Sequence, residues 1–276
     1  MTAKTALVTG ASSGIGEATA LKLQSLGYTV YGAARRADRL QKLADRGVRP
    51  LAMDVTDDGS MAAGIDRIVA EAGRIDVLVN NAGYGSYGAI EDVTMDEARR
   101  QFDVNVFGAM RLAQLALPHM RAQHSGTIVN ITSVGGKIYV PLGGWYHGTK
   151  FALEALSDCL RLEAKPFGIE VVIIEPGAIA TEWSGIAADQ LEKSSATGAY
   201  AKQADAVASL MRSEAHAKRN SPPQVIADAI GKAVTARRPK TRYATGFGAR
   251  PLIALRRLVS DRAFDAVISR ASGLPS

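Results

Sequence analysis

Residues 4–16 read KTALVTGASSGIG, a short apolar run followed by three closely spaced glycines. The run Ala6-Leu7-Val8 indicates a buried strand, and a helical pattern follows the glycines over about residues 14–26. Glycines let the backbone turn tightly and approach a pyrophosphate, and a helix N-terminus offers free N–H groups and the positive end of a dipole. The spacing Gly-x3-Gly-x-Gly is not the general dinucleotide fingerprint, and alone it also suits an ordinary tight turn. Its position between a strand and a helix favours a phosphate-binding turn.

Outward from this turn, strand-like runs and helical patterns alternate to about residue 175. Strands are predicted over 4–9, 28–33, 49–52, 75–79, 127–131 and 169–174, and helices over 14–26, 37–45, 58–72, 95–122 and 145–165. Pro118 is expected to end or kink the long helix. Strands that are apolar on both faces and separated by helices imply a parallel sheet covered on both sides. We therefore expect a single α/β domain over residues 1–276, a doubly wound Rossmann fold.

The last third of the chain is less regular. Residues 182–220 are small, polar and weakly periodic, and a helix at 223–236, a strand near 240–244 and a helical extension over 245–276 follow. From Arg212 to Arg270 there are 13 Lys or Arg against four Asp or Glu, a local charge of +9, so the rest of the chain carries 6 − 9 = −3. This basic excess suits an anionic ligand or a membrane surface, although a solvated face is the commoner explanation.

The C-terminal extension is also amphipathic. Leucines at 252, 255 and 258 recur at helical spacing beside arginines at 250, 256 and 257. A basic amphipathic helix can lie on a membrane, but packing on its own domain or on a sister subunit is the preferred interpretation. Nucleic-acid binding is not expected, because no recognition motif accompanies the charge.

Composition points to a globular protein of a reducing compartment. Apolar residues make up 47% and charged residues 22%, and no apolar stretch approaches the ~18 residues that span a bilayer. The lone Cys159 cannot form an internal disulfide, and its helical setting predicts a packed thiol. With no hydrophobic leader before the first strand, we expect a cytoplasmic protein.

The end of the second strand indicates the cofactor. An acid there would bind the ribose of NAD, whereas this chain has Ala33-Ala34-Arg35-Arg36, and Asp38 is the first acid. Two guanidinium groups suit a 2′-phosphate, so the sequence predicts NADP(H). The alternative is two solvated arginines at a helix start, which the helix dipole disfavours. Asp54 and Asn81 follow the third and fourth strands and are expected at the same edge of the sheet.

A tyrosine and a lysine one helical turn apart supply the candidate chemistry. Tyr146 and Lys150 share a helix face. Free tyrosine has a pKa of about 10, and an ammonium ~4 Å away at an effective dielectric of ~20 would lower it by roughly 3 units. The pair is therefore sufficient for acid–base chemistry near pH 7, although this spacing is common by chance. Ser133 and Asn105 are placed to converge on the same edge.

These motifs together resemble the short-chain dehydrogenase/reductase family, over about residues 4–181. The resemblance rests on Thr9–Gly16, Asn80-Asn81-Ala82-Gly83, Asn105, Ser133, Tyr146-His147-Gly148-Thr149-Lys150 and Pro176-Gly177, in order and spacing. It implies that Tyr146 is the general acid for carbonyl reduction and the base for alcohol oxidation. It further implies that Lys150 lowers the pKa of Tyr146 and binds the nicotinamide ribose. Ser133 would hydrogen-bond the reacting oxygen, and Asn105 would hold a water of a proton relay.

The resemblance also completes the cofactor site. Ile179 and Thr181 would hold the carboxamide and phosphate side of the cofactor. All the expected cofactor-binding residues are Gly10, Ser12, Ser13, Gly14, Ile15, Gly16, Arg35, Arg36, Asp54, Val55, Asn81, Ala82, Gly83, Tyr146, Lys150, Pro176, Gly177, Ile179 and Thr181. His147 points about 100° away from Tyr146, so packing or a surface position is expected of it. The histidines lack metal-ligand spacing, so no metal is predicted.

For the substrate, the resemblance implies that residues 182–220 form a lid. Apolar lid residues expected at the pocket are Trp183, Ile186, Leu191, Val207, Leu210 and Met211, facing Tyr139, Val140, Leu142 and Trp145, although each of these suits an ordinary core equally well. The stretch 102–108, with Glu175-Pro176-Gly177 and Trp183, resembles the branch of 17β-hydroxysteroid and retinol dehydrogenases. It implies a ketone, aldehyde or alcohol that is steroid-, retinoid- or long-chain-like.

Other functions remain open beside this one. They are reduction of small polar ketones, NADP binding without turnover as a sensor, and lipid binding at a membrane surface through the extension. The family also implies a homodimer or homotetramer through the helices at 95–122 and 145–165.

Overall fold

The computed structural model describes residues 3–273. Within them seven strands form one sheet in the order β3-β2-β1-β4-β5-β6-β7, and every neighbouring pair is parallel. The strands are β1 (Thr5–Thr9), β2 (Thr29–Ala34), β3 (Arg49–Ala52), β4 (Val77–Asn80), β5 (Gly126–Ile131), β6 (Ile169–Pro176) and β7 (Arg242–Thr245). The strand order reverses between β1 and β4, which opens a crevice at their carboxyl ends.

Helices cover both faces of this sheet. They are α1 (Gly14–Ser25), α2 (Gln41–Ala44), α3 (Asp58–Ala72), α4 (Met95–Phe102), α5 (Gly108–Ala122), α6 (Gly144–Ala164), α7 (Trp183–Ser195), α8 (Ala201–Arg212), α9 (Glu214–Arg219), α10 (Gln224–Thr235), α11 (Ala249–Leu258) and α12 (Asp261–Ala271). Short 3-10 turns occupy Ala37–Leu40, Val134–Gly136 and Lys165–Phe167. The predicted doubly wound, single-domain α/β fold is confirmed.

The side chains of β1 show why the strands are apolar on both faces. Ala6 and Val8 enter a core shared with Leu23 of α1, whereas Leu7 enters the opposite core with Leu112 of α5. The side chains of these five residues are fully buried: Ala6, Leu7, Val8, Leu23 and Leu112. A strand between two helix layers has no polar face to present, so its sequence reads as a continuous apolar run.

The long helix predicted over 95–122 is interrupted, but the interruption does not lie at Pro118. A π-helical turn at Asp103–Phe107 separates α4 from α5, and α5 continues through Pro118 to Ala122. Pro118 lies on the exposed side, where water can satisfy the backbone group that its ring leaves unpaired. Of the two outcomes expected at Pro118, an end or a kink, the structure excludes the end, because the helix continues to Ala122.

The weakly periodic segment 182–220 folds as three helices, α7, α8 and α9. Its buried core depends on small side chains, including Ala187, Ala188, Ala204 and Ala208. Alanine contributes little to a hydropathy pattern, which explains why these helices were not predicted.

The C-terminal extension packs on the domain. Phe264 and Ile268 of α12 are buried against Ile138, and the Tyr139 hydroxyl donates to Asp265 at 2.8 Å. Residues 274–276 of the predicted extension lie outside the described part. None of the helices described over residues 3–273 is long and apolar enough to cross a bilayer. Cys159 is exposed on α6, so the expected packed thiol was wrong.

Candidate active site

A cavity of about 520 Å³ opens at the carboxyl ends of the central strands, beside the reversal point of the sheet. Predicted site residues that line it are Gly10, Ser13, Gly14, Ile15, Asn81, Ala82, Gly83, Ser133, Tyr146, Lys150, Pro176, Gly177, Ile179 and Thr181. Predicted residues outside its walls are Ser12, Gly16, Arg35, Arg36, Asp54, Val55 and Asn105. The cavity therefore joins the glycine-rich turn to the tyrosine and serine of the candidate chemistry.

The glycine-rich turn has the backbone that a phosphate cradle needs. Gly10 and Gly14 have φ values of 64° and 56°, which side chains other than glycine rarely adopt. A Cβ on Gly16 would collide with the carbonyl oxygen of Gly10. Ser13 is the N-cap residue of α1, but its hydroxyl accepts no hydrogen bond from the helix. The N–H groups of the first helical turn therefore have no acceptor from the N-cap side chain. These features fit a diphosphate at the N-terminus of α1.

Thr9 and Asn81 hold this turn against β4. The Thr9 hydroxyl accepts the N–H groups of Asn81 and Ala82, each at 3.0 Å. The Asn81 amide donates to the Thr9 carbonyl at 2.8 Å. Asn81 thus lies at the predicted edge, but its side-chain amide is engaged in shaping the turn.

Two exposed arginines follow β2. Arg35 and Arg36 make no ion pair or hydrogen bond through their side chains within residues 3–273, so no carboxylate there neutralises them. Free guanidinium groups beside the end of β2 suit a 2′-phosphate.

The residues after β3 have a structural role. The Asp54 carboxylate accepts the backbone N–H of Thr56 at 3.0 Å and its hydroxyl at 2.8 Å. The Val55 carbonyl lies against Gly108, where a Cβ would not fit. Both residues stand at the predicted edge of the sheet, and these contacts stabilise the turn that places them there.

Burial controls the acid–base state of Tyr146. Its side chain is 7% exposed, and this burial raises its pKa to about 12, while the neighbouring Ser133 hydroxyl acts in the lowering direction. Ser133 is itself held, because its hydroxyl accepts the N–H of Gly135 at 2.9 Å. The phenol is consequently protonated at neutral pH and can donate to an oxygen in the cavity.

Lys150 lies between β5 and the ring of Tyr146. Its ammonium nitrogen donates to the Ile131 carbonyl at 3.0 Å and lies 5.8 Å from the centroid of the Tyr146 ring. Burial lowers the pKa of Lys150 to about 8, opposed by the charge of Glu154. Burial and the Ser133 hydroxyl are the influences on the pKa of Tyr146, and the charge of Lys150, which was expected to lower it, is not among them. Lys150 does reach the cavity wall.

Asn105 lies in the π-helical turn and its side chain is fully hydrogen-bonded. Its carbonyl oxygen accepts the Tyr84 N–H at 3.0 Å, and its amide donates to the Tyr84 carbonyl at 2.9 Å and to the Thr149 hydroxyl at 3.1 Å. Thr149 in turn donates to the Tyr146 carbonyl at 2.7 Å. The side chain therefore braces α6 through Thr149.

His147 is buried beside the site. Its Nδ1 donates to the Gly135 carbonyl at 2.8 Å, and its Nε2 accepts the Val140 N–H at 3.0 Å. Burial lowers the pKa of His147, so the ring is neutral and both nitrogens serve the backbone. The packing role expected for His147 is what this geometry shows.

An aromatic cluster covers Tyr146. The ring centroid of Trp183 lies 5.1 Å from that of Tyr146, and the Tyr87 centroid lies 5.8 Å from each. Tyr87 was not predicted, because it lies in the loop between β4 and α4, which has no periodicity. Ile138, Phe247 and Leu252 also line the cavity and were missed, since separate chain segments bring them there.

The expected apolar pocket residues divide into three groups. Trp183, Ile186, Met211 and Val140 line the cavity. Leu191, Val207 and Leu142 are buried in the apolar cluster that also contains Tyr87 and Tyr146. Tyr139 packs on Phe264. Leu210 is 46% exposed, and Trp145 lines a groove on α4 instead.

Within residues 3–273, no three His, Cys, Asp or Glu side chains are grouped to hold a metal ion. The arrangement described above is organised around backbone N–H groups, a phenol and an ammonium, which suit organic cofactor chemistry.

Comparison with known proteins agrees with this geometry. The family model described as short chain dehydrogenase matches residues 4–192. A Bacteroides thetaiotaomicron protein named 3-ketodihydrosphingosine reductase is 38% identical over 242 residues, 87% of each chain. The crystal structure of a Streptomyces avermitilis short-chain dehydrogenase superimposes with a TM-score of 0.82 at 35% identity, covering 99% of this chain and 98% of the other.

Two further structures carry cofactors. A metagenomic short-chain oxidoreductase in complex with NADP has a TM-score of 0.69 at 28% identity, covering 87% of this chain and 95% of that one. A 3-ketoacyl-(acyl-carrier-protein) reductase from Brucella melitensis, complexed with NADH, has a TM-score of 0.71 at 25% identity, covering 85% and 91%. The fold thus accommodates either nicotinamide cofactor.

Proposed function

The chain belongs to the short-chain dehydrogenase family and is an oxidoreductase, and from this premise we propose that it uses NADP(H) to interconvert a lipophilic ketone or aldehyde with its alcohol. The observation that carries the proposal is the protonated Tyr146 phenol, which lines, together with Ser133, a cavity continuous with the glycine-rich turn. A fixed acid beside a cofactor site is what carbonyl reduction requires.

Each residue of the proposed catalytic site has a separate role in the reaction. Tyr146 donates its proton to the carbonyl oxygen in reduction, and Ser133 hydrogen-bonds the same oxygen as negative charge develops on it. Lys150 presents an ammonium for the nicotinamide ribose, and Asn105 braces the helix that carries both side chains. When bound, the nicotinamide cofactor supplies or accepts the hydride. These four residues are the proposed catalytic set.

The proposed cofactor residues surround the glycine-rich turn. Gly10, Gly14 and Gly16 give the diphosphate close access to the backbone, and Ile179 and Thr181 close the nicotinamide end. NADP(H) is preferred in this proposal because Arg35 and Arg36 are exposed and unpaired within residues 3–273.

The aromatic and apolar side chains around Tyr146 support a lipophilic substrate. Trp183 of α7 and Tyr87 stack around Tyr146, and Phe247 and Leu252 add apolar walls. We therefore propose that residues 182–220 are the substrate lid. The relative named as a 3-ketodihydrosphingosine reductase supports reduction of a keto group on such a substrate.

The oligomeric state and location are part of the same proposal. Phe107 and Phe151 expose large apolar side chains beside α4 and on α6, which supports a homodimer or homotetramer through these helices. One exposed, unpaired cysteine supports a reducing, cytoplasmic setting.

A panel of carbonyl compounds tests the proposal. NADPH and NADH are offered with decanal, 2-decanone, a 17-ketosteroid, retinal and the small polar ketone acetoin. We expect NADPH oxidation with the long-chain or polycyclic compounds and little with acetoin. Turnover of acetoin alone would favour a reductase of small polar ketones, and tight NADPH binding without turnover of any compound would favour a sensor.

A further inference from the structure

A group of four buried or half-buried charges contacts Thr132 of the cavity wall and lies outside the proposed catalytic set. Glu154 and Glu175 are each 3% exposed, and Lys137 and Arg242 flank them. Buried carboxylates are costly unless they are paired, so a cluster of this kind needs a structural or functional reason.

Glu154 is the centre of this cluster. Its carboxylate lies 2.7 Å from the Lys137 ammonium and 3.0 Å from the Arg242 guanidinium. It also accepts the Thr132 hydroxyl at 2.6 Å. Glu175 is less well satisfied, because its Oε1 lies 3.4 Å from Arg242 Nε without a hydrogen bond.

The cluster connects directly to Lys150. Glu154 follows Lys150 by four residues on α6, so the two side chains share one helix face. They also meet at one strand end, because Lys150 donates to the Ile131 carbonyl while the next residue, Thr132, donates to Glu154. Lys150 has no carboxylate partner of its own within residues 3–273.

We propose that Glu154 is a positioning residue that keeps the Lys150 ammonium charged and aimed into the cavity, with Lys137 and Arg242 holding Glu154 in place. Only the consequence for turnover rests on the proposed function, and the charge state of Lys150 is measurable without it.

Electrostatics supports this assignment. Burial lowers the pKa of Lys150 to about 8, and the charge of Glu154 acts in the raising direction. Glu175 lies against the same cations, but its charge is not among the causes of the Lys150 shift. The charged and titratable groups that face Glu154 are Lys150 and Asp158 on α6, Lys137 after Val134–Gly136, Glu175 on β6 and Arg242 on β7, with Arg257 of α11 acting on Glu175.

The test is a titration of Lys150 in the full-length protein. NMR of ¹³Cε-labelled lysine follows each side chain with pH, and Lys150→Arg assigns the signal. We expect a midpoint of about 8 in the wild type. Glu154→Gln should lower it by roughly one unit or more, as expected for loss of a unit charge one helical turn away. Glu154→Asp, which keeps the charge, should restore most of the shift.

Glu175→Gln is the matched control, since it removes the neighbouring carboxylate of the same cluster. It should leave the Lys150 midpoint within about 0.3 units, a small interaction at this scale. An unchanged midpoint in Glu154→Gln, or an equal shift in Glu175→Gln, would overturn the proposal. If Glu154→Gln does not fold, Lys137→Gln replaces it, because removing that half-buried cation strengthens the field of Glu154 and should raise the midpoint. A midpoint that stays or falls in this variant would also overturn the proposal.

The consequence for activity is measured separately with NADPH and whichever carbonyl compound the panel identifies. Glu154→Gln should shift the alkaline limb of kcat/KM to lower pH, and Glu175→Gln should leave that limb in place. A shifted Lys150 midpoint in a protein that turns over no carbonyl compound would sustain this inference and refute the proposed function.

Discussion

Tyr146 and Lys150 lie on one face of α6, and burial acts on the two in opposite directions. It raises the pKa of the phenol to about 12 and lowers that of the ammonium to about 8. Burial always disfavours the charged form, so the phenol stays neutral while the ammonium depends on neighbouring charge. Spacing in the sequence could predict that the residues share a face. It could not predict that Lys150 bonds to Ile131, because that carbonyl belongs to β5.

His147 should make stability depend on pH. Burial lowers its folded pKa below the ordinary value near 6.5, so below that pH the unfolded chain binds a proton that the folded chain resists. Its contribution is intact above pH 6.5 and is lost as pH falls toward the folded pKa, by at most about 1.4 kcal/mol per unit. We expect the melting temperature to fall between pH 7 and 5, and His147→Gln to reduce that fall.

The control for this prediction is His119→Gln, on the half-buried side of α5, which should keep the wild-type dependence on pH. An identical pH profile in the wild type and His147→Gln would contradict the account of His147.

At the scale of elements, cofactor binding should be most sensitive to substitutions in the glycine-rich turn. Gly16→Ala places a Cβ against the Gly10 carbonyl and forces the turn open. We expect at least tenfold weaker NADP⁺ binding by calorimetry, because the backbone N–H groups no longer converge. Gly59→Ala, also in the first turn of a helix, meets only an ordinary contact at 3.4 Å and should bind NADP⁺ normally. Equal affinity in the two variants would exclude this turn as the phosphate site.

The elements also show where sequence reasoning succeeds. Continuous apolar runs predicted the five inner strands, which are β2, β1, β4, β5 and β6, because both of their faces are buried. The same reasoning missed the π-helical break at Asp103–Phe107, since the hydrophobic pattern continues across it. It missed the lid helices because alanines carry their packing.

At the scale of the whole molecule, cofactor binding should appear as stability. A ligand at 100 times its Kd stabilises the folded state by about 2.7 kcal/mol, which corresponds to roughly 5–10 °C for a chain of this size. We expect a larger thermal shift with NADP⁺ than with NAD⁺. Arg35→Ala with Arg36→Ala should remove the difference by reducing the NADP⁺ shift alone. Greater stabilisation by NAD⁺ in the wild type would contradict the assignment of Arg35 and Arg36.

The cavity also shows which parts of the site could be predicted from the sequence. Motif order predicted which strand ends meet at the cavity, because parallel strands present their carboxyl ends at one edge. The walls from Tyr87, Phe247 and Leu252 were not predictable, since they come from segments far apart in the chain. In the proposed function, substrate preference depends on those walls.

The most direct measurement is the NADPH-dependent reduction rate of Tyr146→Phe, with the NADPH Kd determined in parallel. Tyr243→Phe on β7, outside the cavity walls, is the control. Loss of the general acid should lower kcat by about 10²–10⁴-fold, and the Kd should stay within about threefold. Turnover by Tyr146→Phe within a few-fold of the wild type would contradict the account.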